Sequence, residues 1–561
     1  MTRFLTITVF SLSLSFPLSA QEGQFEWENV ERIVAIGDIH GAYDNFIQVL
    51  KNAELIDDKL DWIGGKTHLV QNGDIVDRGP ESRKAMDFLM KLEDKAEDAG
   101  GRVHLLIGNH EAMNVVGILD LVSPEEFAAF TDRDSENRRN KIFERYYEQL
   151  RREARGRGED APKESTTRAD FENDYPLGYV EHRQAFSSRG KYGKWIQDHD
   201  AAIKINGIVF SHGDWSEEFS AMSIADINHR IRQELRGESP IQEGLAFNDA
   251  SPLQYRGWAQ TELTTAAQAE ARPRVERILE NLSAKRMVVG HTVTEGVIES
   301  RFDGKHISID VGMLELYRGG HRIALEIVND ELRAIHDGGT IPIPESMDRA
   351  NLGAYLNAVA NVDPTNVDVQ LKRVDAMRER GDLDASVSIL EALFEQKPSY
   401  IPFRYREILG QQYLDRGDVT RAEEQFRRYI EGLAALVHSN PTNLNLANLL
   451  ARFCADKGLE LELAEETISR AMEQAPDNFG FRLTMVRVHI ATDQFAKAID
   501  VLRDETAPEP FAYDAAYLCG LAYVGLNDRE AAQSAFQRAI EADPTRDEAR
   551  QALDRLETSQ N

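Results

Sequence analysis

The sequence predicts an α/β fold, a mixed β-sandwich flanked by helices, followed by an all-α solenoid of helical repeats. Three observations predict it. Short apolar strands alternate with helical stretches through the N-terminal half, in the order strand, helix, strand, helix, strand. Two-residue turn signals such as Asn206-Gly207 then divide later apolar runs into hairpins. Corresponding turns recur 36, 41, 35 and 34 residues apart in the C-terminal third. A chain of 561 residues is also too long for one hydrophobic core, so separate folded parts are expected.

Taken in order, the chain opens on an expected export signal at residues 1–20. Arg3 supplies the positive start, residues 4–18 are apolar, and Leu18-Ser19-Ala20 resembles a small-residue cleavage site. This predicts an exported protein, periplasmic or secreted. No later stretch reaches spanning length, so no membrane span is expected in the mature protein.

The α/β part is expected over residues 30–344. Arg32-Ile33-Val34-Ala35-Ile36, Thr67-His68-Leu69-Val70-Gln71 and Val103-His104-Leu105-Leu106-Ile107 read as strands, separated by helices at about 44–53 and 81–99. Strand-helix-strand order implies parallel pairing. Hairpins are expected to turn at Asn206-Gly207, near Asp303-Gly304 and near Asn329-Asp330. A charged stretch at about 120–194 interrupts this pattern and reads as a helical cap over the active site, with a solvated face. Ile341-Pro342-Ile343-Pro344 reads as the start of a linker.

The repeats are expected over residues 366–549. Their turns are Arg380-Gly381-Asp382, Arg416-Gly417-Asp418, Lys457-Gly458-Leu459, Thr492-Asp493-Gln494 and Leu526-Asn527-Asp528. The last unit carries Gly520, Tyr523, Ala532, Phe536, Ala539 and Pro544, where small residues let paired helices approach and the proline ends the second. The pattern resembles the tetratricopeptide repeat, in about five units, which implies a concave surface for a peptide or protein partner.

Composition narrows the chemistry. The formal net charge of −30 argues against nucleic acid, which needs a basic face. It also means that a site for an anionic substrate must create local positive charge, as bound metal ions do. The two cysteines, Cys454 and Cys519, read as buried thiols of the helical region.

Polar residues cluster at the strand ends. Asp38 and His40 follow the first strand, Asp74 the second, and Asn109 and His110 the third. His212 follows Ile208-Val209-Phe210, and His291 follows Met287-Val288-Val289. Each motif has glycine beside it, which permits tight turns and close backbone approach. Carboxylate, imidazole and amide oxygens together suit borderline divalent metals such as manganese, iron, zinc or cobalt. A single Asp-X-His is weak evidence, but five such motifs in order, each after an apolar strand, are specific.

These motifs resemble the calcineurin-like metallophosphoesterases. Gly73-Asp74-Ile75-Val76-Asp77-Arg78-Gly79 and Gly108-Asn109-His110-Glu111 are similar to the signatures of the phosphoprotein phosphatase branch. Ala202-Ile203-Lys204-Ile205-Asn206-Gly207 and Ser251-Pro252-Leu253-Gln254-Tyr255-Arg256-Gly257 resemble segments of the Shewanella-like protein phosphatases. The resemblance covers about residues 32–335 and leaves the repeats outside. It implies an α/β metallophosphoesterase holding two divalent metal ions, manganese foremost. Asp38 and His40 would bind one ion, Asn109, His212 and His291 the other, and Asp74 both. Many members of the wider superfamily carry a second histidine two residues after the last ligand, where this chain has Val293, which fits the phosphoprotein phosphatase branch.

The resemblance further implies hydrolysis of phosphomonoesters by a metal-bridged hydroxide. Arg78, with Arg256 as a second clamp, would hold the phosphoryl oxygens. His110 would protonate the leaving oxygen, oriented by Asp77. Phosphoproteins, phosphopeptides and small phosphomonoesters are the expected substrates. Two other functions fit parts of the sequence, a dinucleoside polyphosphate hydrolase and a repeat scaffold with an inactive phosphatase domain.

Overall fold

The computed structural model describes residues 24–240, 244–502 and 507–558, so the expected export signal lies outside the described residues. The chain divides into two compact units, with the division between Arg380 and Gly381.

The first unit contains β1 (Glu26–Trp27), β2 (Arg32–Ile36), β3 (His68–Gln71), β4 (Arg102–Leu105), β5 (Ala202–Ile205) and β6 (Ile208–Ser211). It continues with β7 (Arg286–Val289), β8 (Glu299–Arg301), β9 (His306–Ser308), β10 (Ala324–Val328), β11 (Glu331–His336) and β12 (Gly339–Pro342). These make two six-stranded mixed sheets, ordered β1-β5-β6-β7-β9-β8 and β12-β11-β10-β2-β3-β4. β2, β3 and β4 run parallel, as their intervening helices Tyr43–Asn52 and Ser82–Asp98 require. β6 and β7 are likewise parallel.

The run Ile33-Val34-Ala35-Ile36 is apolar throughout because both faces of β2 are covered. Ile33 and Ala35 belong to the buried layer between the sheets, with Phe210, Val288, Leu325 and Ile327. Val34 and Ile36 belong to the helix-facing layer, with Phe46, Val49, Met86 and Leu89. The hairpins form as antiparallel pairs β5–β6, β8–β9 and β10–β11. Asn206 and Gly207 turn with φ of 51° and 73°, and Asn329 and Asp330 with 51° and 66°, the left-handed pair that a two-residue hairpin needs.

The segment at 120–194 is helical, with Pro124–Ala128, Ser135–Arg157, Glu164–Asp174, Tyr179–Phe186 and Lys191–Gln197 following one another. Ser135–Arg157 buries only Ser135, Phe143 and Ala154 of its 23 residues, so its charged face is solvated. The start of the segment flanks the loop carrying Asp77 and Arg78. Arg78 N donates to Leu121 O at 2.9 Å, and Ser82 Oγ donates to Glu126 Oε2 at 2.8 Å.

The expected linker needs correction. Ile341 and Pro342 lie in β12, paired with β11 in the register Arg333↔Pro342 and Ile335↔Thr340. β12 is the edge of its sheet, where a strand tolerates a proline. Ile343 and Met347 are buried, and the helices Arg349–Val362 and Val367–Glu379 follow within the same unit. Tyr355, Leu356, Val359 and Val369 of these helices share the buried cluster of the inter-sheet layer.

The second unit is helical from Leu383 onward. The turn at 416–418 separates Arg404–Asp415 from Val419–Ser439, and that at 526–528 separates Ala512–Gly525 from Arg529–Ala542. The last pair shows why small residues recur. A Cβ on Gly520 would lie 2.4 Å from the Phe536 ring, and Ala532, Phe536 and Ala539 are fully buried. Cys454 is buried and Cys519 half-buried, and neither is in a disulfide. No helix among the described residues is long and apolar enough to cross a membrane.

Candidate metal centre and active site

Five strand ends converge on one site. β2, β3 and β4 deliver Asp38 and His40, Asp74, and Asn109 and His110 from one sheet. β6 and β7 deliver His212 and His291 from the other. Asp38, His40, Asp74, Asn109, His110, His212 and His291 are all buried. His40, Asp74, Asp77, Arg78 and His291 adopt positive φ between 47° and 71°. Such conformations cost about 1–3 kcal/mol each and persist where function needs the side chain aimed.

Asp74 is the shared member of two groups. Its carboxylate lies with His40 and His110 in one, and with His212 and His291 in the other, ligand atoms within 4.8 Å of each other. Asp74 Oδ2 is 3.7 Å from His40 Nε2, 3.7 Å from His110 Nε2 and 3.2 Å from His212 Nε2. Asp38 Oδ2 sits 3.7 Å from His40 Nε2, and Asp38 Oδ1 accepts from His291 N at 3.0 Å.

The donor chemistry fits cations. His212 Nε2 lies 2.9 Å from Asn109 Oδ1 and 2.9 Å from His291 Nδ1, besides Asp74. One imidazole proton cannot serve three acceptors, whereas one cation can be bound by all four groups. His40 and His291 are pushed down to about 3 and about 2, burial being the largest cause, so both present neutral nitrogen lone pairs. His212 is raised to about 9: burial lowers it, but Asp74 and Asp38 outweigh that, and a cation would displace this proton. Burial, then the charge of Asp310, raises Asp38 well above the usual carboxylate range, and the opposing pull of the His212 charge does not offset them.

Around these groups stand the polar partners. Asp77 Oδ2 lies 2.6 Å from His110 Nδ1, and Asp77 Oδ1 accepts from Asn114 Nδ2 at 2.8 Å. Arg78 Nη1 is 2.8 Å from His40 Nε2 and donates to Tyr317 Oη at 2.9 Å, while Nη2 is 3.3 Å from His110 Nε2. Arg256 lies against His291, with Nη1 donating to its carbonyl and Nη2 3.3 Å from its Nδ1. Glu111 accepts from the backbone N–H groups of Asp74, Ile75 and Gly108 at 2.8–2.9 Å, so it ties two metal-site loops together. Asp214 accepts from Trp258 and Ala259 N–H and pairs with His306 at 2.6 Å, which makes it a loop support. Asn114 and Tyr317 belong to the site yet carry no motif in the sequence.

Gly108 leaves no room for a side chain. A Cβ there would lie 2.2 Å from Asp74 Oδ1 and 2.5 Å from Asp74 N. Gly108→Ala is expected to displace Asp74 and lower divalent-metal affinity by about 10–100-fold, the usual cost of disturbing a ligand's support. Metal titration by calorimetry checks it, and unaltered affinity would contradict it.

The calcineurin-like phosphoesterase family matches residues 31–295. A tetratricopeptide repeat matches residues 513–546. The chain is 31% identical to Shewanella-like protein phosphatase 2 of Arabidopsis thaliana over 315 residues, covering 55% of this chain and 78% of that protein. It is 28% identical to Shewanella-like protein phosphatase 1 of Plasmodium berghei over 303 residues, covering 51% of this chain and 69% of that protein. The crystal structure of a cold-active protein-tyrosine phosphatase of a psychrophile Shewanella sp. aligns at TM-score 0.42 with 24% identity, covering 57% of this chain and 82% of that one. With its matched domain and its 31% identity across 78% of the Arabidopsis thaliana relative, the chain belongs to the Shewanella-like protein phosphatases, a group of calcineurin-like phosphoesterases, and carries a C-terminal tetratricopeptide repeat.

Proposed function

We propose that this phosphoesterase is a binuclear-metal phosphatase of phosphomonoesters, acting on phosphoproteins or phosphopeptides outside the cytoplasm, with manganese as its metal. The observation that carries this is the position of Asp74, shared between two compact donor groups, beside Arg78 and the His110–Asp77 pair. His40, Asp38 and Asp74 would hold one cation, and Asn109, His212, His291 and Asp74 the other. When bound, the pair of cations supplies an acidified water and neutralises phosphoryl charge.

The chain's own residues do the rest. Arg78 presents its guanidinium fork to the phosphoryl oxygens, fixed from behind by Tyr317 Oη. Arg256 reaches the site beside His291 and serves as the second clamp. His110 donates its Nε2 proton to the leaving oxygen. Its Nδ1 is held by Asp77, whose other oxygen is fixed by Asn114, so the ring cannot turn. Burial lowers the His110 pKa, but Asp74 and Asp77 outweigh it and keep the imidazole above its ordinary value, as an acid needs.

The names of the relatives, protein phosphatases, support a phosphoprotein substrate. The repeats supply a surface for a protein partner or for the substrate's polypeptide. The apolar start of the sequence supports export.

The test is hydrolysis of para-nitrophenyl phosphate, a phosphotyrosine peptide, a phosphoserine peptide and a diadenosine polyphosphate by chelator-treated protein refilled with manganese. Manganese-restored turnover of aryl phosphate and peptide is the expected result. Turnover of the diadenosine compound alone would replace the phosphatase with a dinucleoside polyphosphate hydrolase.

A further inference from the structure

The helix Val367–Glu379 lies far beyond the matched family domain, yet its first turn touches two loops of the active site. Asp368 is 3% exposed. One of its carboxylate oxygens pairs with Arg318, and the other lies 2.8 Å from His321 Nε2. Arg318 follows Tyr317, the residue that fixes Arg78, and Arg318 has φ of 50°. A non-glycine residue keeps that backbone only where its surroundings hold it.

The neighbouring Asn366 holds the second loop. Its Nδ2 donates to Gly296 O at 2.8 Å while its Oδ1 caps the helix at Val369 N. Gly296 has φ of 78°, and a Cβ there would lie 2.6 Å from Asn366 Oδ1 and 3.0 Å from His321. The two loops are themselves joined, through Thr294 N to Asp310 O at 2.8 Å and Gly296 N to Val311 O at 3.1 Å. The first loop begins at His291 and the second ends at the Asp368 partners Arg318 and His321.

We infer that Asp368, with Asn366, is a positioning residue of this active site. It fixes the loop 310–321, and through Tyr317 the orientation of Arg78, from an element outside the matched domain. Asp368 touches neither substrate nor metal ligand. Its effect passes through the Arg318 backbone to the Tyr317 hydroxyl. A loosened loop leaves Arg78 without its rear contact, so phosphate binding weakens in ground and transition state alike.

The inference rests on the proposed phosphatase reading, so the experiment carries a readout independent of turnover. Full-length Asp368→Ala and Arg318→Met are compared with wild type and with Val369→Ala, which thins the same helix's buried face but removes no hydrogen bond or ion pair to either loop. KM for aryl phosphate and the inhibition constant of inorganic phosphate are expected to rise about tenfold in Asp368→Ala and Arg318→Met, with kcat changed less. Val369→Ala is expected to lower the melting temperature while leaving both constants alone. Hydrogen exchange is expected to accelerate at 292–298 and 310–321 only in the two loop variants. If Asp368→Ala does not fold, Arg318→Met carries the test, since it leaves Asp368 with His321. Wild-type constants and exchange in the loop variants, or the same changes in Val369→Ala, would overturn the inference. A wild type without turnover defeats the phosphatase reading only, and the exchange pattern then decides this one.

Discussion

Asp74→Asn is expected to lower turnover by about 10³-fold or more, and to do so without unfolding the protein. Asp74 is the one side chain common to both donor groups among the described residues. Its Oδ2 faces His40, His110 and His212, while Oδ1 accepts from His110 N at 3.0 Å. Asparagine keeps an oxygen for that backbone bond but removes the negative charge that both cations would share. A paired metal site supplies several kcal/mol of transition-state stabilisation, and about 1.4 kcal/mol is tenfold in rate.

The response to manganese separates this from simple damage. Without cations the buried acids repel one another. Burial, then Asp74, raises Glu111 to about 7, and burial raises Asp310 to about 6 with Asp74 contributing. Against that, Asp74 is itself held well below the usual carboxylate range: burial raises it, but the charges of His110 and His212 outweigh burial, so its own charge is favourable in the fold. At neutral pH the metal-free variant should therefore melt below metal-free wild type, while manganese raises the melting temperature of wild type alone. Differential scanning with and without manganese reads both effects. Manganese raising the melting temperature of the variant as much as that of wild type would mean that Asp74 holds no cation.

Much of this arrangement was legible because its signals are local. Asp38, Asp74, Asn109, His212 and His291 each follow an apolar strand within a few residues, so strand and motif identified each other. The hairpins at Asn206-Gly207 and Asn329-Asp330 were legible from the left-handed backbone these residue types accept. Long-range partners left no such signal. Tyr317 reaches Arg78 across 239 positions, and nothing beside it marks that contact. The direction of Arg256, folded onto His291, could not be read from Ser251-Pro252-Leu253-Gln254-Tyr255-Arg256-Gly257 either. Ile341-Pro342-Ile343-Pro344 was misread because alternating prolines suit a linker and an edge strand equally, and only the partner strand β11 decides.

That misreading changes where the catalytic part can be cut, and the effect should be large. A chain ending after Pro344 is expected to be insoluble or unfolded, whereas one ending after Arg380 should fold and hydrolyse aryl phosphate. The shorter chain loses Tyr355, Leu356, Val359 and Val369, all at most 3% exposed and all part of the layer between the sheets. Truncating one such side chain costs about 2–5 kcal/mol, against a total of about 5–15 kcal/mol for a domain. Losing four, with the faces they cover left to water, exceeds that margin. The shorter chain also loses Asn366 and Asp368, so any folded remnant would hold Arg78 loosely. Cutting at Arg380 keeps the whole first unit. Far-ultraviolet circular dichroism melts and soluble yield compare the two chains. A cooperative melt near the wild-type temperature for the chain ending at Pro344 would show that the two following helices are dispensable, and would return the catalytic boundary to β12.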